Sequence, residues 1–165
     1  MISVVIATLN AAETLPATLA ALVPGAVSNL VREVVIADAG STDQTLAIVE
    51  DAGARLAGAD LAGACDLAKG PWLMLLPSAV RLAPEWQAAA RDHIEHHAGE
   101  AGYFRGALDD HRAAARLREL WAGLRGAGGG QGLLLSKRLY AETGADLRRL
   151  RGRLRPLAAR AFEVR

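Results

Sequence analysis

The sequence predicts an α/β fold, a doubly wound and mainly parallel sheet with helices on both faces. Three observations lead to this prediction. Segments 2–7 and 33–37 are almost continuous β-branched, apolar runs, which is typical of strands covered on both faces. The residues between them have helical apolar spacing and can supply the crossover that parallel strands require. Strand-like and helix-like segments then alternate along the chain, which favours a doubly wound sheet.

The first crossover helix is predicted to end before Pro24. Its apolar stripe consists of Leu15, Leu19 and Leu22. A second helix follows the second strand, because Ser41 and Gln44 have the spacing of a capping box and Gly53 is a natural stop. A third helix is expected at 59–68, before a buried strand at 72–76.

In the second half, a helix is predicted to start at Pro84, and its inner stripe would be Trp86, Ala90, Ile94 and His97. The segment 145–155 is ambiguous between helix and strand. The other expected elements are a strand at 103–108, a helix at 117–124, a flexible glycine-rich loop at 126–132, a strand at 133–135 and a helix at 137–143.

Composition favours one globular domain, since the 165 residues are 52% hydrophobic and 22% charged. No apolar run approaches the ~18 residues of a membrane helix, and no basic segment precedes the apolar N-terminal stretch. We therefore expect a cytoplasmic protein, with peripheral membrane association left open. The single cysteine, Cys65, lies among alanines and is expected to be a buried thiol.

Charge is distributed unevenly. Residues 1–100 carry 5 basic and 12 acidic side chains, whereas residues 101–165 carry 14 basic and 6 acidic ones. We predict salt-sensitive association of the basic half with an anionic membrane surface or an acidic protein. Nucleic acid is not expected, because no aromatic side chains are interleaved with the arginines. A homo-oligomer is also compatible with this polarity. The densest basic cluster is Arg148, Arg149, Arg151, Arg153 and Arg155.

Candidate binding residues follow the first two strands, because ligands of parallel sheets lie outside the carboxyl ends of the strands. No GxGxxG motif follows either strand, which argues against a dinucleotide-dependent dehydrogenase. Asp38 ends the second strand, where its carboxylate could accept hydrogen bonds from a base or a ribose. The alternative is an Asx turn that orders the next helix.

These residues also carry a family resemblance. Segments 2–10, 34–43 and 68–73 resemble, in order and spacing, the family 2 glycosyltransferases with a GT-A fold, and weaker similarity continues at 103–105, Asp109-Asp110 and 130–134. The resemblance implies one GT-A-like domain over 1–165, with a nucleotide-binding half at 1–76 and a shortened acceptor-side half at 77–165. It implies that the binding residues for a UDP-type nucleotide sugar are Thr8, Asn10, Asp38 and Gly40.

The sequence departs from the family pattern at the residues that perform the chemistry. Where the family has an acidic DXD-type motif, this chain has Pro77-Ser78-Ala79-Val80, and these side chains offer no carboxylate to a divalent ion. The Glu-Asp pair of the family has no counterpart, and Ala57 and Gly58 stand where an arginine is often found. We therefore predict no bound metal or other cofactor.

Substitutes for the missing groups are few. Asp109 and Asp110 are the remaining candidates for a catalytic base, and Arg105 or Arg148 could neutralise a leaving diphosphate. His93 and His97 have metal-compatible i, i+4 spacing, but a half-buried helix face with solvated imidazoles is the favoured interpretation. The sequence thus predicts a glycosyltransferase-like protein that binds a nucleotide sugar with weak or no transfer activity. The alternatives are a non-catalytic scaffold and a metal-independent enzyme.

Overall fold

The computed structural model describes residues 1–107, 132–150 and 152–164. Asp109, Asp110 and Arg151 lie outside these residues, as do the helix predicted at 117–124 and nearly all of the glycine-rich loop. In the described part, no helix is long and apolar enough to cross a membrane.

The described residues form one eight-stranded sheet in the order β3-β2-β1-β4-β7-β6-β8-β5. Its strands are β1 Ile2–Thr8, β2 Val31–Asp38, β3 Arg55–Leu56, β4 Trp72–Pro77, β5 Val80–Leu82, β6 Ala101–Ala107, β7 Leu133–Ser136 and β8 Leu154–Glu163. The helices are α1 Leu15–Val27, α2 Thr45–Asp51, α3 Leu61–Leu67, α4 Trp86–His96 and α5 Lys137–Glu142, followed by a 3₁₀ turn at Leu147–Leu150.

The sheet is mixed, with its parallel part where the sequence predicts it. β3, β2, β1 and β4 are all parallel, and so is the β6–β8 pair. β7 is antiparallel to both β4 and β6, and β5 is antiparallel to β8. The carboxyl ends of β1, β2, β4, β6 and β8 therefore meet at one edge, and the predicted α/β fold class is confirmed.

Two apolar layers cover the sheet. On one face, α1 and α4 pack against β1, β4 and β8 through residues such as Leu22 and Trp86. On the other face, α3 and α5 pack against the same central strands through Cys65 and Tyr140. The side chains of β1 are buried along its whole length, as its β-branched composition predicts.

Several element predictions need correction. α1 does not end before Pro24 but continues to Val27, because the next residue, Gly25, is held tightly against the Trp86 ring. Ser41 does not cap α2; its hydroxyl donates to Asp38 instead. The third helix begins later than expected, at Leu61, where the Asp60 carboxylate accepts hydrogen bonds from two backbone N–H groups.

The sequence interpretation also missed two short strands, β3 and β5, which contain two and three residues. The ambiguous arginine-rich segment divides into the 3₁₀ turn and the start of β8. Along β8 the side chains are alternately buried and exposed from Leu157 onward, which is the pattern of a strand with one covered face.

The contact between Gly25 and Trp86 gives a stability prediction. A Cβ atom at residue 25 would lie 2.6 Å from two ring carbons of Trp86 and 2.9 Å from a methyl group of Val31. Such overpacking costs about 1–3 kcal/mol, and the better helix propensity of alanine offsets about 0.5–1 kcal/mol of it. We expect Gly25→Ala to lower the free energy of unfolding in urea titrations.

Gly99→Ala is the matched control, because no atom lies within 4 Å of a Cβ built there. It should change the free energy of unfolding by less than about 0.5 kcal/mol. Equal effects of the two substitutions would show that the close approach to Trp86 does not limit stability.

Candidate functional site

The sheet brings two predicted binding residues together at the carboxyl edge. Thr8 ends β1 and Asp38 ends β2, and the two residues are direct partners in the parallel register. The Thr8 hydroxyl donates a hydrogen bond of 2.7 Å to Oδ1 of Asp38. Thr8 is fully buried and Asp38 is 8% exposed, so little of this pair faces solvent.

Three further donors surround the Asp38 carboxylate. The Ser41 hydroxyl donates to Oδ1 at 2.5 Å, and the backbone N–H groups of Ser41 and Gly40 donate to Oδ2 at 2.8 and 3.1 Å. Burial raises the pKa of Asp38, but the hydrogen bonds from Ser41, Thr8 and Gly40 outweigh it and hold the pKa below its usual value. The carboxylate is therefore ionised, and its roughly four lone-pair positions all have donors.

This arrangement contains the Asx turn that the sequence left open as an alternative. Gly40 contributes through its backbone, which has a φ of 96°. A ligand contact through Asp38 stays a prediction, and it would require the ligand to replace one of the hydroxyl donors.

Asn10 connects the same edge to the start of α2. Its φ is 49°, in the left-handed region, and its side-chain oxygen accepts a hydrogen bond of 2.8 Å from the Thr42 N–H. Its own N–H donates to the Ser41 hydroxyl at 2.8 Å. The two loops after β1 and β2 are thus fixed to each other by side-chain hydrogen bonds.

An open groove of about 580 Å³ lies beside Asn10. Its charged lining groups are Glu13 and Asp43, both acidic and exposed. Hydrogen bonds from the Thr45 hydroxyl and from backbone N–H groups lower the pKa of Asp43. The groove therefore presents negative charge, which suits hydroxyl and amide groups better than a diphosphate.

The loop after β4 occupies the position of the family's acidic motif. Ser78 is 2% exposed, and its carbonyl oxygen accepts a hydrogen bond of 2.8 Å from the Thr18 hydroxyl. The Val80 N–H donates to that same hydroxyl at 3.2 Å. These two hydrogen bonds fix the loop to α1. The loop has no carboxylate that could bind a hard cation. Within the described ranges, no three His, Cys, Asp or Glu side chains group in a way that could hold a metal ion.

A second cavity, of about 360 Å³, lies between α3 and the 3₁₀ turn. Arg148 is the basic residue in its lining, which also includes Asp60, Cys65, Tyr140 and Asp146. Burial raises the pKa of Cys65 to about 12 and also raises the pKa of Tyr140. Cys65 is thus a buried, protonated thiol, as its alanine-rich surroundings predict.

The arginines after Gly144 do not present one set of unpaired charges. Arg153 donates to Glu142 at 3.2 Å, Arg155 donates to Glu100 at 2.5 Å, and Arg149 lies 3.8 Å from Asp146. Arg105 lies elsewhere, on β6. Ion pairing therefore reduces the charge that much of this cluster can offer to a partner.

The structure corrects the interpretation of the histidine pair. His93, rather than His97, belongs to the inner face of α4; it is 1% exposed and not solvated. Its Nε2 lies 3.1 Å from the Glu100 carbonyl oxygen, and its buried Nδ1 has no partner within the described part of the chain. The Trp72 ring stands edge-on at a centroid distance of 5.9 Å, and that of His97 lies at 5.7 Å.

This burial predicts acid sensitivity. Desolvation lowers the pKa of His93 below 6.5, with the neighbouring charges of His97 and Arg155 acting in the same direction and Glu100 opposing them. The unfolded chain then binds more protons than the folded chain at mildly acidic pH, so the stability from neutral His93 is lost as pH falls below about 6.5. We expect His93→Gln to flatten the decline in free energy of unfolding between about pH 7 and pH 5.

His96→Gln is the control, because His96 is exposed at the end of the same helix and pairs with Asp92. Its removal should affect the slope of stability against pH much less than removal of His93, because exposed ion pairs contribute little to stability. A wild-type protein whose stability does not fall in this pH range would contradict the prediction.

Sequence reasoning missed three polar residues that build this edge. The Ser41 hydroxyl accepts from the Asn10 N–H and donates to Asp38. The Thr45 hydroxyl accepts from the Ala11 N–H. The Thr18 hydroxyl donates to the Ser78 carbonyl oxygen. Thr18 is buried on the inner face of α1, and its hydroxyl bonds to the loop after β4. The only sequence signal was a hydroxyl residue at an inward position of an otherwise apolar helix.

Comparisons with known proteins agree with this geometry. Residues 3–96 match the family model described as glycosyl transferase family 2. No curated protein sequence matches the chain significantly.

Two solved structures illustrate the structural similarity. Glucosyl-3-phosphoglycerate synthase from Mycobacterium tuberculosis, in complex with Mn²⁺, UDP and glucosyl-3-phosphoglycerate, is 18% identical with a TM-score of 0.63, over 94% of this chain and 68% of its own. Residues 1–349 of S. aureus TarS, in complex with UDP-GlcNAc, are 18% identical with a TM-score of 0.72, over 99% of this chain and 58% of that one. The chain thus spans about three fifths of residues 1–349 of TarS and about two thirds of the synthase, and the likeness shows the fold.

Proposed function

Because the chain belongs to glycosyl transferase family 2, we propose that it retains a nucleotide-sugar site at the carboxyl edge of β1 and β2 and transfers sugar weakly or not at all. Support for the binding part comes from the position of Thr8 and Asp38, which meet where ligands of parallel sheets lie. Structural neighbours that contain UDP or UDP-GlcNAc make a UDP-type ligand the first choice.

Binding at this edge should be weak. A uracil N–H or a ribose hydroxyl can bond to Asp38 only by displacing the hydroxyl of Thr8 or of Ser41. The exchange replaces one hydrogen bond to a charged group with another, so the net gain is small.

The observation that carries the catalytic part is the loop after β4. Ser78 is buried there, Thr18 holds the loop closed, and no carboxylate is available to place a cation beside a diphosphate. The residues present thus do not fit the family's metal. A leaving diphosphate would depend on arginines, for which Arg148 and Arg105 are the candidates, and the acceptor would depend on Asp109 or Asp110 as base.

The direct test is release of UDP from UDP-sugars by purified protein with and without manganese. The proposal expects at most slow release that manganese does not increase. Rapid release without metal, lost in Asp109→Asn/Asp110→Asn, would instead support a metal-independent enzyme.

A second candidate function is a non-catalytic scaffold. The specific observation in its favour is that the Asp38 carboxylate already has a donor at each of its roughly four lone-pair positions, while Thr8 is fully buried. In that case the hydrogen-bond network stabilises the loops after β1 and β2 and binds no ligand. Calorimetry separates the candidates, since a scaffold gives no heat with UDP, GDP or dTDP.

The protein's partners and location are also proposals. Arg149, Arg153 and Arg155 each lie beside a carboxylate. That carboxylate offsets part of the positive charge that the arginine could present to an acidic protein or an anionic membrane. Peripheral association of a cytoplasmic protein therefore needs another basic surface.

A further inference from the structure

Three arginines lie near one phenylalanine on β6, β8 and β5, which are neighbours at one end of the sheet. Arg81 on β5 is opposite Phe162 on β8, and Arg105 on β6 is opposite Arg160 on β8. Directly opposite residues share a face of the sheet, and residues two apart on one strand also share a face. The side chains of Arg81, Arg105, Arg160 and Phe162 therefore lie on one surface, which we call the arginine face.

The arginine face is exposed, whereas the opposite face of β8 is covered. Leu157, Ala159 and Ala161 of β8 are buried in the core on the side of α4. All three arginines of the arginine face are exposed, and Phe162 is 39% exposed. This surface is thus part of the open sheet and lies outside the two cavities described above.

The charges on this face have no counter-charge from the described residues. No described carboxylate lies within 4.0 Å of the guanidinium groups of Arg81, Arg105 or Arg160, in contrast to Arg153 and Arg155. Like charges directly opposite each other on neighbouring strands are destabilising. The Arg105–Arg160 pair therefore has an unfavourable interaction that a bound anion would relieve.

We propose that the arginine face docks on an anionic lipid bilayer. Guanidinium groups bind phosphate in two-pronged geometry, and an exposed phenyl ring between them can enter the boundary of the acyl chains. Among the described residues, the charged side chains of this face are all arginines and they lie near an exposed phenyl ring. This combination matches a surface of lipid phosphates better than a folded acidic protein, which would need shape complementarity as well. This proposal does not rest on nucleotide-sugar binding at the carboxyl edge, although Arg105 is a candidate residue in both.

Vesicle co-sedimentation tests the proposal. The full chain should bind vesicles of phosphatidylcholine and phosphatidylglycerol at low salt, and should bind pure phosphatidylcholine vesicles weakly. Each arginine near an anionic surface is worth about a fivefold change in binding. The triple variant R81Q/R105Q/R160Q should therefore bind about a hundredfold more weakly. Phe162→Ser should also weaken binding, although it changes no charge.

The matched control is R32Q/R91Q/R138Q, which removes three exposed arginines outside the arginine face with the same change in net charge. It should bind nearly as well as wild type. Thermal unfolding of each variant shows that it is folded, and the single variants R160Q and F162S replace the triple variant if that one is not.

Three results would overturn the proposal. One is no binding of wild type to the anionic vesicles at low salt. Another is an equal loss in both triple variants, because binding would then follow net charge. The third is tighter binding to soluble polyglutamate than to the vesicles, which would assign the face to an acidic protein.

Discussion

Purified protein should release UDP from UDP-sugars at least about 10²–10³ times more slowly than an active family member, and manganese should leave the rate unchanged. The factor is what the loss of one preorganised electrostatic contribution to the transition state commonly costs. Here the lost contribution is the cation beside the diphosphate, since the loop from Pro77 to Val80 has no carboxylate and Thr18 holds it closed.

The loss of a base would add to this effect. A positioned base contributes about 10²–10⁴ to the rate and must lie within about 3 Å of the acceptor hydroxyl. The family's Glu-Asp pair has no counterpart in the sequence, and we propose Asp109 and Asp110 as its substitutes.

The assay measures nucleoside diphosphate release from UDP-, GDP- and dTDP-sugars, with and without manganese. The variant Asp109→Asn/Asp110→Asn is run in parallel, and any slow turnover that uses one of these carboxylates as base should fall further in it. Robust manganese-dependent turnover that this variant abolishes would show that the catalytic carboxylates lie there and that the protein is an active enzyme.

Asp38→Ala should have the second-largest effect, on stability and on binding together. The substitution removes the acceptor of four hydrogen bonds and leaves the fully buried Thr8 hydroxyl without its partner. Hydrogen bonds to a charged group contribute about 1.5–3 kcal/mol, and we expect the free energy of unfolding to fall by about that amount. UDP affinity should also fall if Asp38 contacts the ligand, by up to about tenfold, because the ligand bond replaces a hydroxyl bond and its net gain is small.

Asp51→Ala is the control, because Asp51 is an exposed carboxylate at the end of α2. It should change the free energy of unfolding by less than about 0.5 kcal/mol. Unchanged stability of Asp38→Ala would contradict the structural role of the carboxylate. Unchanged UDP affinity in a folded Asp38→Ala protein would remove Asp38 from the binding site.

The fold could be predicted largely because its central strands have simple patterns. β1 is a β-branched run buried along its whole length, and β2 is buried from Val35 to Asp38. Their parallel pairing follows from this composition and from the helix between them. The positions of Thr8 and Asp38 at neighbouring strand ends follow from the same reasoning.

Other features depend on tertiary contacts that no local pattern indicates. β3 and β5 are too short to show a period, and they exist because β2 and β8 offer free edges for pairing. α1 continues past Pro24 because Gly25 and Leu22 pack in the core. Segment 145–155 was ambiguous because its arginines fit a helix and a strand equally well until the 3₁₀ turn and the pairing of β8 with β6 are known.

The position of the candidate site could be predicted from the sequence, but the hydrogen bonding of its residues could not. Sequence indicates that Asp38 follows a buried strand, yet not that two hydroxyls from Thr8 and Ser41 would converge on it. The absence of carboxylates after β4 is visible in the sequence. The hydrogen bonds of Thr18 to that loop depend on the packing of α1 against β5, which the sequence does not show.

Titration of the protein with UDP by calorimetry, in the presence and absence of manganese, tests the central claim most directly. A retained nucleotide site without metal ligands predicts weak binding of UDP with the same affinity in both conditions. Binding that manganese strengthens tenfold or more would contradict the claim, because it would require a cation site that the loop after β4 does not provide.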